Sequence, residues 1–346
     1  MIRVGICGFG YWGPTLLRAF SNNPAFQVTA IADADPEQQA KARALKPGAA
    51  IYGDGREMIE SPELDAVAVA TPVSTHHALA LHALKHGKHV LVEKPMCASV
   101  EEARDLVAMA DRAGRTLMVD HTYLFSPAVG KLKELQRSGV LGKITYYDSL
   151  RVNLGLFQSD VNVLWDLAPH DFSIMDYLLE EQPVEIEATG YCHVNPRLPD
   201  IAYLTLHYRS HVIAHLNLSW ISPVKARRVA LGGTGQMVIW DDLNPDEKLK
   251  IYNSGIEVRP DDERSVLIPG YRIGDITSPR VPTSEPLAGA VAHFHRVITG
   301  QEAPVADGRL GLRVVDLLER SQRALDATLG RVAGLRSPEV VMRAVR

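Results

Sequence analysis

From residue 2 to about 122 the chain alternates short, almost continuously apolar runs with stretches in which apolar residues recur every three or four positions. The runs are Arg3-Val-Gly-Ile-Cys7, Val28-Thr-Ala-Ile-Ala32, Ala66-Val-Ala-Val-Ala70, His89-Val-Leu-Val92 and Leu117-Met-Val119. Continuously apolar strands are covered on both faces, and strands that alternate with helices build βαβ units around a parallel sheet. The pattern therefore predicts five parallel strands in a doubly wound α/β domain. Ser99 and Glu102 have the spacing of a capping box ahead of a helix over 103–113, and Gly114 is placed to stop it.

Past residue 122 the period changes. A helix is expected from about Pro127 to Ser138, closed by Gly139 and Gly142. Strand-like segments follow near 143–153, 184–194, 201–208, 211–220, 226–231 and 236–241, with turn residues between several of them, which predicts a mainly antiparallel sheet. Helical patterns occupy about 168–179, 285–299 and 311–329, so this half reads as α+β. The stretch 254–284, rich in Gly, Pro, Asp and Arg, predicts no element and reads as a long loop or an oligomer contact. The expected division is a dinucleotide-binding domain over 1–122 and a substrate-binding, oligomerising domain over 123–346, in keeping with a length of 346 residues.

Composition narrows the class of partner. With 37 Lys and Arg against 41 Asp and Glu the net charge is −4, which offers no electrostatic grip on nucleic acid or anionic lipid. No apolar run is long enough to cross a bilayer and no leader pattern opens the chain, so a cytoplasmic protein is expected. Cys7, Cys97 and Cys192 are odd in number and lack Cys-x-x-Cys spacing, which predicts reduced thiols and no metal site.

The first strand runs into Gly8-Phe9-Gly10-Tyr11-Trp12-Gly13, followed by Pro14 and an amphipathic helix. Glycines here permit a tight turn, a close approach to a pyrophosphate and close helix-strand packing, while the helix N-terminus offers unpaired N–H groups to phosphate. Asp33 ends the second strand 20 residues after Gly13, where a carboxylate accepts from an adenosine ribose. A carboxylate there repels a 2'-phosphate, so NAD is expected over NADP. The plainer reading of Asp33 is a helix cap, for which Asp35 is the better candidate.

Glu93-Lys94-Pro95 stands at the end of another strand, the edge where an open parallel sheet binds ligand. In Leu164-Trp165-Asp166-Leu-Ala-Pro169-His170-Asp171, Asp166 and His170 are four apart and share one helix face. Pro169 is expected to kink that helix or to mark its first turn. If His170 lies near the helix start, the positive end of the dipole keeps its ring neutral. Taken alone, the pair also fits a buried histidine with a capping neighbour, or a metal pair.

The glycine loop, Glu93-Lys94-Pro95 and Asp166-x-x-x-His170 together resemble the glucose-fructose oxidoreductase, inositol dehydrogenase and MocA (Gfo/Idh/MocA) family. The resemblance implies a Rossmann domain, a large open sheet for substrate binding and oligomerisation, and an active site between them. It implies catalytic roles for Lys94, Asp166 and His170, with His170 the general base, and sets Thr71, Pro72 and His76 beside the nicotinamide ribose. The family's usual glycine before the histidine is replaced by Pro169. Arg151-Val-Asn153-Leu-Gly, the Trp165 segment and Ser219-Trp220 through Lys225 further resemble members acting on surface-polysaccharide sugars, including UDP-linked uronates. Arg151 and Asn153 are either contacts to a substrate carboxylate or diphosphate, or surface charges. His121, Tyr123 and Trp165 are candidate sugar contacts, and Lys225, Arg227 and Arg228 read first as a solvated strand face. The expected activity is hydride transfer between NAD and a secondary hydroxyl or ketone of a sugar or nucleotide sugar, in a homodimer or homotetramer. The alternatives are an enzyme that retains its cofactor through an internal oxidation-reduction cycle, and a non-catalytic NAD-binding regulator.

Overall fold

The computed structural model describes residues 1–155, 157, 161–257 and 270–335. Six strands, β1 (Ile2–Cys7), β2 (Phe26–Ala32), β3 (Ala50–Tyr52), β4 (Ala66–Val69), β5 (His89–Val92) and β6 (Leu117–Val119), form a wholly parallel sheet in the order β3-β2-β1-β4-β5-β6. The five expected strands are all present. The sixth, β3, is a three-residue edge strand, too short to stand out as an apolar run. Between the strands lie α1 (Gly13–Ser21), α2 (Pro36–Leu45), α3 (Gly55–Glu60), α4 (Val73–Lys85) and α5 (Val100–Ala113). At α5 the Ser99 side chain accepts from the Glu102 N–H, and Gly114 closes the helix in the left-handed region. The Glu102 carboxylate reaches one residue beyond a standard capping box, to the N–H of Ala98.

One face of this sheet is covered by α3, α4 and α5, which bury Met58, Leu84 and Leu106 against Val67, Val69, Val90 and Val92. On the other face Phe20 of α1 meets Phe26 edge-on with centroids 5.0 Å apart, and Phe26 stacks on Phe294 at 6.1 Å. Phe294 comes from a helix late in the chain. Cys7 and Cys97 are buried, Cys192 is half-buried, and none of the three is in a disulfide. Burial, with Asp54 nearby, pushes the Cys7 thiol up to about 12.

The remaining elements are α6 (Pro127–Arg137), β7 (Ile144–Leu154), α7 (Val163–Leu179), β8 (Glu185–Tyr191), β9 (Ile201–His207), β10 (Ile213–Ser219), β11 (Ile221–Gly233), β12 (Met237–Asp241), β13 (Leu249–Tyr252), β14 (Gly255–Glu257), β15 (Gly270–Arg272), β16 (Ile276–Thr277), α8 (Pro286–Ile298) and α9 (Gly308–Leu335). Among the described residues the second sheet has the order β16-β13-β12-β11-β7-β10-β9-β8. Only β7 and β10 pair in parallel; every other neighbouring pair is antiparallel. Period-two alternation places Leu204, Leu206, Leu216 and Leu218 on a covered face and turns Tyr203 and Ile213 outward.

Two expectations are corrected. The stretch 254–284 is not devoid of structure: β14 and β15 pair with each other and β16 adds to the large sheet, while 258–269 lie outside the described residues. These strands are two or three residues long, below what periodicity can register. The helix expected from 168 begins at Val163, because Asn162 caps it with Oδ1 accepting from the N–H groups of Leu164 and Trp165.

The chain compacts into two units: Met1–Gly130 with Phe172–Tyr177 and Pro282–Leu317, and Lys131–Asp171 with Leu178–Val281 and Leu318–Arg346. Compaction thus does not follow one cut after residue 122, since α8 folds with the first sheet. No helix among the described residues is long and apolar enough to cross a membrane.

Candidate functional site

Because the first sheet is wholly parallel, the loops after its strands share one edge, and the sequence-singled residues of this unit lie there. Gly8 leaves β1 at φ +93°, and a Cβ on it would stand 2.5 Å from the Ala70 carbonyl oxygen. Only glycine fits. At Gly13 a Cβ would meet the Gly8 oxygen at 2.8 Å, so α1 packs close against the loop it follows. Gly10 differs: it is exposed, with no atom within 4 Å of where its Cβ would stand. Internal packing does not demand a glycine at that position.

Phe9 is buried, Tyr11 is exposed and stacks on Trp12, and Pro14 lies in the first turn of α1. Asp33 Oδ2 accepts from the Phe9 N–H at 2.6 Å and Oδ1 from the Asp35 N–H at 2.8 Å. Its carboxylate is therefore tied to the glycine loop, and Asp35 is the cap of α2, accepting from the Glu37 N–H. Thr71 and Pro72 form the turn into α4. His76 is buried, with Nε2 2.8 Å from the Thr71 carbonyl and Nδ1 2.9 Å from the Pro95 carbonyl. It ties the loop after β4 to the loop after β5.

Beside half-buried Lys94 lies a pair of carboxyls that the sequence reading did not connect. Glu93 and Asp120, at the ends of β5 and β6, are both buried. Glu93 Oε1 and Asp120 Oδ2 receive no hydrogen bond from a donor among the described residues. Burial raises both groups: Glu93 stands well above the usual carboxylate range, its shift reinforced by Asp120, and Asp120 is pushed up to about 6. Lys94 opposes both shifts, as do hydrogen bonds from Trp12 to Glu93 and from Thr122 to Asp120. The arrangement favours a proton held on the pair at a pH where an exposed carboxyl has lost its own. Next along the chain, His121 is fully buried and pushed down to about 3 by burial and by Lys94, so it is neutral. Tyr123 follows, half-buried, in a 3-10 turn over Thr122–Phe125.

In the second unit α7 carries the other candidates. Asp166 lies in its first turn, where the helix dipole favours negative charge, while His170 is one turn further in. His170 is thus beyond the reach expected of the dipole. Pro169 lies inside the helix and offers no N–H to the carbonyl of Trp165. Asp166 Oδ2 accepts from the indole N–H of buried Trp220 at 3.1 Å. Trp165 is half-buried, and its indole N–H, like the Asn162 amide, donates to Gln322 Oε1.

Arg151 is not a surface charge. It is 4% exposed on the covered face of β7, and its Nε donates to Asp171 Oδ2 at 2.8 Å. Tyr147 and Ser149, four and two residues earlier on the same face, donate to Asp171 Oδ1 at 3.1 and 2.7 Å. A fully buried carboxylate next to His170 thus receives three side-chain donors from one strand and locks α7 to β7. The i, i+2, i+4 alternation of Tyr147, Ser149 and Arg151 was the available signal. Asn153, the next position on that face, is half-buried. Lys225 and Arg228 are exposed, as expected of a solvated face, and Arg227 is half-buried 3.8 Å from Asp242.

Comparison with known proteins places this geometry. Residues 2–121 match the oxidoreductase family model with an NAD-binding Rossmann fold, and residues 129–239 match the GFO/IDH/MocA C-terminal domain. A solved protein from Magnetospirillum magnetotacticum MS-1 is 30% identical, with a TM-score of 0.79 over 92% of this chain and 99% of that one. The UDP-N-acetylglucosamine 3-dehydrogenase of Acidithiobacillus ferrooxidans is 27% identical over 95% of this chain and 99% of its own length, and its structure superposes with a TM-score of 0.80. A 1-carboxy-3-chloro-3,4-dihydroxycyclohexa-1,5-diene dehydrogenase from Comamonas testosteroni is 30% identical over 54% of this chain. In that relative, as in the others that head the curated matches, the matched stretch spans about half the length. The chain belongs to the Gfo/Idh/MocA family of NAD-binding oxidoreductases.

Proposed function

We propose that this chain transfers hydride between NAD and a secondary hydroxyl or ketone of a sugar or sugar derivative, with a UDP-linked amino sugar or uronate as the favoured class. The observation that carries the reading is α7, which offers Asp166 and His170 one turn apart, braced by Trp220 and by the Asp171 cluster. The near full-length similarity to a UDP-N-acetylglucosamine 3-dehydrogenase supports the substrate class.

The residues present fit a dinucleotide. The open space over Gly10 admits a pyrophosphate, the N-terminus of α1 supplies N–H groups, and Asp33 has lone pairs left for a ribose. Gly8, Phe9, Tyr11, Trp12, Gly13, Thr71, Pro72, His76, Glu93 and Lys94 complete the set assigned to the cofactor, with His76 acting through the loops it ties. The negative charge of Asp33, followed by Ala34, Asp35 and Pro36, favours NAD over NADP. When bound, the nicotinamide takes or gives the hydride. His170, steered by Asp166, removes the hydroxyl proton in the oxidative direction, and Lys94 stabilises the oxygen as charge develops on it. His121, Tyr123, Arg151, Asn153 and Trp165 are assigned to the substrate; Arg151 and Trp165 serve it from positions already fixed by Asp171 and Gln322. The outward face of the large sheet, with Tyr203 and Ile213, is read as the contact of a homodimer or homotetramer.

The test is incubation with NAD and a panel of sugars, polyols and UDP-linked amino sugars and uronates, following reduced nicotinamide. Lys94→Ala and His170→Ala are expected to lower turnover by roughly 10²–10⁴-fold with NAD affinity nearly unchanged. Wild-type turnover in either variant sinks the assignment. Tightly held nicotinamide with no net reduction under substrate identifies an internal redox cycle instead.

A further inference from the structure

At the opposite edge of the first sheet from the glycine loop, α4 ends in two histidines four residues apart. His82 lies in its last turn and His86 is its C-cap, so their rings share one face, with centroids 4.2 Å apart. Glu60, the last residue of the neighbouring helix α3, places Oε1 3.2 Å from His82 Nε2. One ligand atom from each of the three residues lies within 4.8 Å of the other two. We propose that Glu60, His82 and His86 bind a first-row divalent transition cation of the zinc type, with water in the remaining positions.

Four features point the same way. Two imidazoles and a carboxylate are donors that suit zinc and its neighbours rather than calcium or magnesium. In tetrahedral zinc coordination the ligand atoms stand roughly 3.3 Å apart, so His82 and Glu60 already have the spacing and His86 needs to close by at most about 1.5 Å. That movement is open to it, since His86 and Glu60 are exposed. His86 Nδ1 donates to the His82 carbonyl oxygen at 2.9 Å, which fixes the tautomer that leaves the Nε2 lone pair for a ligand. Such a hydrogen bond to a backbone carbonyl is what orients metal-ligating histidines. Finally, the last turn of a helix presents the negative end of its dipole, favouring a cation. The expectation of no metal rested on the cysteines, which take no part here.

The site lies away from the residues assigned to cofactor and substrate, so its effect is on stability: a cation held by the folded chain and not by the unfolded one raises the melting temperature. The experiment is calorimetric titration of the chelator-stripped full-length chain with ZnCl₂, with melting curves recorded beside it. Wild type is expected to bind one equivalent and gain in melting temperature. His82→Ala and His86→Ala are each expected to weaken binding roughly tenfold or more, and to leave the metal-free melting temperature unchanged, which separates loss of ligand from loss of fold. Glu60→Gln should weaken it as well. Absence of saturable binding in wild type overturns the proposal, as does wild-type affinity in the doubly substituted His82→Ala, His86→Ala chain.

Discussion

The glycine-loop edge of the first sheet and the α7 cluster of the second unit are built from different materials. At the loop edge the contacts are made largely by backbone: the Phe9 and Asp35 N–H groups hold Asp33, and Gly8 packs on a peptide carbonyl. Around α7 they are side chain to side chain: Arg151 to Asp171, Trp220 to Asp166, and Asn162 to Gln322. A backbone-built site tolerates many side chains but few backbone changes, whereas a side-chain-built site fails when one partner is removed.

The largest effect expected from this contrast is at Asp171. Replacing it with Ala leaves the Arg151 guanidinium buried without its carboxylate, and breaking a buried pair from one side costs about 3–5 kcal/mol. Denaturant midpoints check this, and an unchanged midpoint would show that the cluster does not hold α7 to β7. At the loop edge the sensitive change is the smallest one possible. Gly8→Ala adds a single methyl at positive φ against the Ala70 carbonyl, a strain of about 1–3 kcal/mol. NAD affinity, read by fluorescence titration, should fall in Gly8→Ala and hold in folded Asp171→Ala; the reverse outcome dissolves the distinction.

The smallest effect expected is a slope. Asp120 is raised by burial, so the folded state holds a proton there that the unfolded state has lost, and stability is gained as pH falls from about 6 toward the unfolded value. His121 is depressed to about 3, so its contribution is complete above the unfolded histidine range and is lost as pH falls below it. The two oppose each other between about pH 6 and pH 4 in the wild type. Asp120→Asn removes its own share of the gain while buried Glu93, itself raised, keeps one, so the fall in stability with acid steepens by at most about 1.4 kcal/mol per pH unit. Melting curves across that window measure it, and parallel curves for wild type and variant refute the assignment.

The same contrast explains what the sequence made legible. The glycine loop, Asp33 and Lys94 could be found because the ends of parallel strands must lie together, so strand pattern alone places their loops at one edge. Asp166 and His170 could be paired because four residues make one helical turn. Asp171 looked like a neighbour of the motif, and Arg151 was left between substrate contact and surface charge, because pairing them requires knowing that the odd positions of β7 face α7. The pairing of Glu93 with Asp120 escaped notice for a related reason: nothing in either run showed that β5 and β6 lie side by side with both carboxyls turned inward.

Pro169 stands where the resemblance led one to expect glycine. Glycine at that position would give the unfolded chain its widest range of backbone conformations, and proline gives it the narrowest. Exchanging one for the other where the native φ suits a proline ring lowers the entropy lost on folding, an effect of about 0.4–1 kcal/mol in comparable cases. The residue assigned to take the substrate proton therefore emerges from a peptide whose direction is largely settled before the helix forms.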